Sequence, residues 1–322
     1  MPLTRLTRLS AALSAGVLAL ALAACGSDSD GDSSLPTVRF AVGADVAFSP
    51  LYVAEEKGLF AEQGVNVELV KTEGGPAPTQ SVAAGAAQMG ANADPTVLGN
   101  AVQSKNLRAL AIFQQSDRYI KVVLRKGVTS AKQIKSMAVV DGSPLMGTVR
   151  YLESQGVDRS KVKFVKSSAP EIPALLKRGD VDGFVLYEPW PTRAVADGAH
   201  VTAVTGDFGM QYHQWVVADE KWLAGNTETA AKVVKAIAAA GKLITDDPQT
   251  GAEATEKVIK LPVEQSLAQF KEIDYVTRGF TAEDLKSYQT TIDFFVKEKL
   301  WSGTPDLDQV VLKDWFAQNA AS

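Results

Sequence analysis

At Ser49-Pro50, Asp94-Pro95, Ser143-Pro144 and Glu188-Pro189 a polar residue stands immediately before proline, ahead of a helix-like run. Proline suits the first helical turn because it lacks the N–H that has no partner there, and a preceding Ser or Asp can cap the next donors. Such helix starts offer free N–H groups and partial positive charge, the chemistry that holds anions. Glu188 adds the opposite sign, suiting a ligand amine or ring N–H. No Gly-x-Ser-x-Gly or His-Glu-x-x-His motif occurs, and His200 and His213 are the only histidines, so neither a nucleophile elbow nor a histidine-rich metal site is expected. No cofactor and no catalytic residue is predicted.

Short β-branched runs alternate with helical patterns from Leu35 onward, as in an α/β fold with mostly parallel strands. Strands are predicted over residues 38–42, 65–70, 109–113, 120–124, 137–140, 162–165, 184–186 and 201–204. Four helices then begin at the carboxyl ends of strands, where open α/β sheets bind ligands. The last hundred residues read as helical. Residues 227–244 place Ala230, Val233, Val234, Ile237, Ala240 and Ile244 on one face, and 281–300 do so with Leu285, Tyr288, Ile292, Phe295 and Val296. Thr281 with Asp284 predicts a cap.

Cys25 is the only cysteine among 322 residues. It follows two arginines, Arg5 and Arg8, and an uncharged run over 9–24, the layout of an export signal. Leu22-Ala23-Ala24-Cys25 resembles a bacterial lipobox. That resemblance implies removal of residues 1–24, lipid on the Cys25 thiol, and anchoring to the membrane's extracytoplasmic face. Residues 25–36 then form the lipidated start and a polar tether. The formal net charge is −4 overall, and residues 1–24 contain two arginines and no acid. The chain from Cys25 is therefore more acidic still, which argues against nucleic acid as a partner. Without further cysteines, stability must come from burial, and a 46% hydrophobic composition is enough to fill two cores.

The segment Gly-Asp-Val-Asp-Gly-Phe-Val-Leu-Tyr-Glu-Pro-Trp at 179–190 resembles the periplasmic binding proteins of ABC importers for nitrate, taurine and alkanesulfonates, which include binders of the thiamine pyrimidine precursor. Residues 47–54 with 57–60, Gly74-Gly75-Pro76 with Ala83-Ala84-Gly85, and 130–135 leading to 139–143 match the same pattern in the same order. The resemblance runs from about residue 37 to the end. It implies a two-lobed α/β fold of the type II periplasmic binding class, each lobe a mixed, mostly parallel sheet flanked by helices. Lobe one is expected at 37–117 plus 216–322 and lobe two at 118–215, with crossings at 116–119 and 212–216.

A monomeric receptor follows from this resemblance, binding a small molecule between its lobes and delivering it to a permease with its ATPase. The expected ligand residues are Phe48, Ser49, Gly74, Gly75, Pro76, Asn92, Asp94, Ser143, Met146, Gly147, Thr148, Glu188, Trp190, Tyr212 and Trp215. His213 lies beside them, and Arg118, Arg150 and Arg193 are the cationic candidates. A sulfonate such as taurine satisfies both signs of charge. Nitrate, an aromatic carboxylate or a pyrimidine precursor are the alternatives within this class; a sensor or scaffold lipoprotein and an enzyme are those outside it.

Overall fold

The computed structural model describes residues 35–321. The export signal, Cys25 and most of the tether lie outside the described residues. The chain first lays down β1 (Thr37–Val42), α1 (Ser49–Glu56), α2 (Leu59–Glu62), β2 (Asn66–Lys71), α3 (Ala77–Ala83), β3 (Met89–Ala93), α4 (Asp94–Ala101) and β4 (Leu107–Ser116). It then crosses to β5 (Ile120–Leu124), β6 (Ser136–Val139), α5 (Ser143–Ser154), β7 (Lys163–Lys166), α6 (Ile172–Arg178), β8 (Gly183–Tyr187), α7 (Trp190–Ala196) and β9 (His200–Val204). Strand β10 (Tyr212–Asp219) returns it to the first sheet. A helical tail follows: α8 (Glu220–Leu223), α9 (Thr227–Asp246), α10 (Pro248–Ile259), α11 (Val263–Phe270), α12 (Ala282–Lys297), α13 (Leu307–Val310) and α14 (Trp315–Asn319).

Two five-stranded sheets result, ordered β2-β1-β3-β10-β4 and β7-β6-β8-β5-β9. In each, three parallel strands meet an antiparallel fourth, β10 or β5, and that strand is the one entering directly from a crossing. Helices flank both sheets, giving the two-lobed α/β architecture. The first crossing occupies 117–119. The second precedes β10, because Tyr212 already pairs with Ser116 and Trp215 with Asn92. Residues 212–215 therefore belong to the first sheet, where the sequence reading had placed them in lobe two.

All eight predicted strands form, with ends shifted by a few residues. Two more strands form, β3 and β10; β10 carries Tyr, Trp and two Val and so has strand propensity, whereas β3 has none. Strand β3 is Met-Gly-Ala-Asn-Ala, fully buried without a β-branched residue. Its Gly90 is required by close approach: a Cβ there would lie 2.9 Å from Val82 Cγ2 and 3.1 Å from the Ala41 carbonyl oxygen. The expected proline does occupy the first turn of α1, α4 and α5; at α7, Pro189 precedes the helix and the first-turn proline is Pro191. The predicted side-chain caps do not form, however, since Ser49, Asp94 and Ser143 are themselves the first helical residues.

The apolar face of α9 is buried as its spacing requires, from Ala230 to Ile244. On α12, Thr281 and Asp284 form a capping box. That helix ends at Lys297, and Val296 is left exposed. Among the described residues, no helix is long and apolar enough to cross a membrane.

Candidate functional site

Between the sheets lies a cavity of about 50 Å³. Asp45, Phe48, Gly75, Asn92, Ala93, Thr96, Tyr212 and Gln214 line it from lobe one, and Val140, Asp141, Ser143, Pro144 and Tyr187 from lobe two. A wider groove of about 510 Å³ shares Gly75, Thr96, Val140 and Asp141 with it. The helix starts converge on this space because β1, β3, β6 and β8 run parallel within their sheets and end there.

Local chemistry fixes the walls. Asp45 accepts from the Ala47 N–H at 2.8 Å, which sets the turn carrying Phe48. Gly43 makes room for that ring: a Cβ at residue 43 would come within 2.5 Å of Phe48 Cε2. Asn92 donates to the Gly75 carbonyl at 2.8 Å and ties the glycine loop to β3. Gly74 and Gly75 have φ of 87° and 59°, the left-handed region that glycine enters freely. Tyr119, at the first crossing, stacks on Tyr187 of lobe two at 6.4 Å and tilts against Tyr212 of lobe one at 5.9 Å. Tyr187 and Tyr212 thus form a tyrosine wall with one ring from each lobe, and fully buried Tyr119 packs against both.

The cavity lining carries two carboxylates and no Lys or Arg. Asp141 pairs with exposed Lys166 at 2.6 Å. Asp45 is only partly covered by surface measure yet sits deep against protein; burial pushes its pKa up to about 6, opposed by the Ala47 N–H and the Tyr119 hydroxyl. Below the floor, burial raises Asp94 to about 8, the His213 N–H opposes this, and Asp284 adds repulsion. Burial also lowers His213 to about 4. His213 Nδ1 meets the Tyr288 hydroxyl at 2.8 Å, and Arg278 clamps Asp284 at 2.5 and 3.1 Å. Protonated Asp94 and neutral His213 leave this buried layer one ion pair, Arg278 with Asp284.

Of the expected ligand residues, Phe48, Gly75, Asn92, Ser143 and Tyr212 line the cavity, and Pro76 lines the groove. The others sit elsewhere. Gly74 hydrogen-bonds back to Thr72 within its loop. Buried Ser49 accepts from Thr255 at 2.9 Å. Thr148 donates to the Pro144 carbonyl, and Gly147 packs against Val185 and Met210. Met146 joins Met210 and Phe295 in an apolar cluster.

Glu188 is 2% exposed, bound to Lys121 at 2.7 Å, and accepts the Thr192 N–H at the start of α7. Trp190 carries Arg193 over its ring at 4.8 Å. Trp215 is fully buried against Tyr288 and Phe280. Arg118 is half exposed beside Asp117 and Asp274, and neither it, Arg150 nor Arg193 lines the cavity. Among the described residues, no cluster of three His, Cys, Asp or Glu is placed to hold a metal.

Asp45, Thr96, Val140, Asp141, Tyr187 and Gln214 are lining residues the sequence reading did not select. Four carried a signal. Tyr187, Val140 and Asp141 lie inside the recognised segments, and Gln214 shares strand parity with Tyr212 once residues 212–219 are read as a strand.

Lys121 of lobe two also reaches Glu272 of lobe one at 2.7 Å, so a Glu188–Lys121–Glu272 bridge, buried at Glu188 and partly exposed at Glu272, joins the lobes beside the first crossing. Phe295 of α12 meets Met146 of α5, and Arg159 pairs with Glu298 across the lobes on that side.

Residues 45–251 match the protein family described as NMT1/THI5 like. The chain is 31% identical over 245 residues to the nitrate import ATP-binding protein NrtC of Synechococcus elongatus, covering 67% of this chain and 36% of that protein. It is 25% identical over 173 residues to the taurine-binding periplasmic protein of Escherichia coli, covering 51% of this chain and 53% of that one. The chain thus spans about a third to a half of the length of these curated relatives. Among solved structures, the periplasmic aliphatic sulphonate binding protein SsuA of Escherichia coli superposes with a TM-score of 0.76 at 16% identity, covering 86% of this chain and 92% of its own. The periplasmic nitrate-binding protein NrtA of Synechocystis gives 0.73 at 15% identity, covering 88% of each chain. Both likenesses establish the periplasmic binding protein fold.

Proposed function

The chain belongs to the NMT1/THI5-like family, and from that premise we propose that it is the extracytoplasmic solute receptor of an ABC importer. It captures a small organic molecule between its lobes, without catalysis, and delivers it to a permease and its ATPase. The observation that carries this reading is the cavity enclosed by both lobes, with a deep carboxylate, a tyrosine wall and no lining Lys or Arg. A relative named for nitrate import and another named for taurine binding are consistent with the role.

The ligand of this proposal carries an amine. Asp45 opposes a bare anion and favours a positive or N–H-bearing group. Taurine, a sulfonate with an ammonium, fits both signs: the ammonium toward Asp45 and the sulfonate toward the first turn of α5, where Ser143 stands. A second reading, an aminopyrimidine related to the thiamine precursor, is favoured by the tyrosine wall, which suits a flat ring. The receptor is proposed to work as a monomer held at the membrane by lipid on Cys25; a Cys25→Ser variant that stays in the membrane fraction would contradict that anchor.

Thermal unfolding of the full-length chain tests the receptor role. Taurine or 4-aminopyrimidine at millimolar concentration is expected to raise the melting temperature, because a ligand at 100 times its Kd stabilises by about 2.7 kcal/mol. Nitrate, benzoate and ethanesulfonate are expected to act more weakly. No shift with any of the five would overturn the reading.

A further inference from the structure

Two residues that line the cavity, from opposite lobes, each carry a buried polar atom with no hydrogen-bond partner. Gln214 Oε1 belongs to β10 and Ser143 Oγ to the first turn of α5. Gln214 is 2% exposed and Ser143 3%. A buried polar group without a partner is costly, so two of them on one cavity point to a ligand that supplies the missing bonds. The Gln214 amide nitrogen donates to the Tyr212 hydroxyl at 2.7 Å. With that nitrogen engaged, the amide presents its oxygen, an acceptor. Asp45, on the same cavity, is an acceptor too.

We propose that Gln214, held in this orientation by Tyr212, is the specificity-determining residue that accepts a hydrogen bond from a ligand N–H, while Ser143 engages the same ligand from the other lobe. The inference rests on the receptor reading and adds a residue-level rule to it: of two ligands alike in shape, the one with the N–H donor binds. The Tyr212 hydroxyl decides the orientation of the amide. A flipped Gln214 would turn its own donor toward the cavity, and the pair of acceptors that now favours one amine would be broken up. Gln114 lies opposite Gln214 in the strand register and also has both amide atoms unpartnered, but it does not line the cavity. It therefore serves as a control.

Calorimetric titration of the full-length chain with matched probes tests the rule. The pairs are taurine with ethanesulfonate, and 4-aminopyrimidine with pyrimidine. The amine of at least one pair is expected to bind roughly tenfold or more tightly than its donor-less partner, equivalent to about 1.4 kcal/mol. Gln214→Leu is expected to erase most of that preference, and Gln214→Glu, which keeps an acceptor and the side-chain length, to retain it. Tyr212→Phe, which frees the amide to turn, is expected to reduce the preference while leaving binding measurable. Gln114→Leu is expected to leave it unchanged. Equal binding of both members of each pair, or a preference that survives both Gln214→Leu and Tyr212→Phe, overturns the rule and leaves the receptor standing. A preference that disappears equally in Gln114→Leu also overturns it, by assigning the effect to the strand pair. If no probe binds, the receptor reading fails and the rule fails with it.

Discussion

The lobes meet through two contacts of opposite chemistry. Beside the first crossing the contact is polar and deep: Lys121, with its side chain 13% exposed, lies between Glu188 and Glu272. On the α12 side it is apolar, with Phe295 stacked on Trp301 at 4.6 Å and packed on Met146 and Met210, and with the Arg159–Glu298 pair at its edge. The polar bridge is directional, since each Lys121 bond requires a particular carboxylate position. The apolar contact is tolerant of sliding and separates at a cost set mainly by area. A receptor that opens and closes needs one side that keeps the lobes in register and another that parts reversibly. We infer that the Lys121 bridge is the first and the α12 cluster the second, a division of the kind seen in hinge closure around ligands.

Breaking the polar side is expected to have the largest effect. Lys121→Met leaves buried Glu188 without its counter-charge and close to partly exposed Glu272, and removing one partner of a buried ion pair costs up to about 3–5 kcal/mol. Urea unfolding measures this. A loss below about 1 kcal/mol would show that the bridge is solvated and does not hold register. Truncating the apolar side is expected to rank second. Phe295→Ala is expected to cost about 3 kcal/mol and to enlarge the ligand-free molecule in small-angle scattering, as the lobes part. If its dimensions stay unchanged, α12 is not the side that opens.

The smallest effect is a slope and belongs to the layer beneath the cavity. Asp94 has its folded pKa raised to about 8, from an ordinary value of 3.8. The folded state therefore keeps a proton that the unfolded chain has lost, and stability falls as pH rises toward 8. His213 acts in the other direction. Its folded pKa is lowered to about 4, so its contribution is lost as pH falls below about 6.5 and is flat above. Between about pH 7 and pH 8 the Asp94 effect is separated from that of His213. The melting temperature is expected to decline across that window, and Asp94→Asn is expected to flatten the decline. Parallel profiles for the two proteins would show that Asp94 is ionised when folded.

The same contrast explains what the sequence made legible. Strands rich in Val and Ile, and the α9 face from Ala230 to Ile244, announce themselves because burial of branched side chains at a fixed period is a local property. Met89-Gly-Ala-Asn-Ala93 did not, because its strand state is imposed by neighbours: small residues let α3 approach β3. Tyr212–Asp219, with Tyr, Trp and two Val, has strand propensity that the crossing expected at 212–216 concealed. Phe48, Gly75 and Ser143 could be read from motif position, and Tyr212 from its place at the expected second crossing. Gln214 could not, because its significance depends on an amide orientation set by a neighbouring hydroxyl and on an unpartnered oxygen. Glu188 shows the reverse. A carboxylate at a helix start looked like a ligand group, and Lys121, distant in sequence, takes it into the lobe bridge.

Amide hydrogen exchange of the full-length chain, with and without the solute that raises its melting temperature, tests most directly whether the cavity between the lobes is the binding site. Slower exchange is expected on both sides at once: around residues 45–49 and 212–216 in lobe one, and around 141–147 and 187–192 in lobe two. Protection confined to one lobe, or to segments away from the cavity, would contradict it.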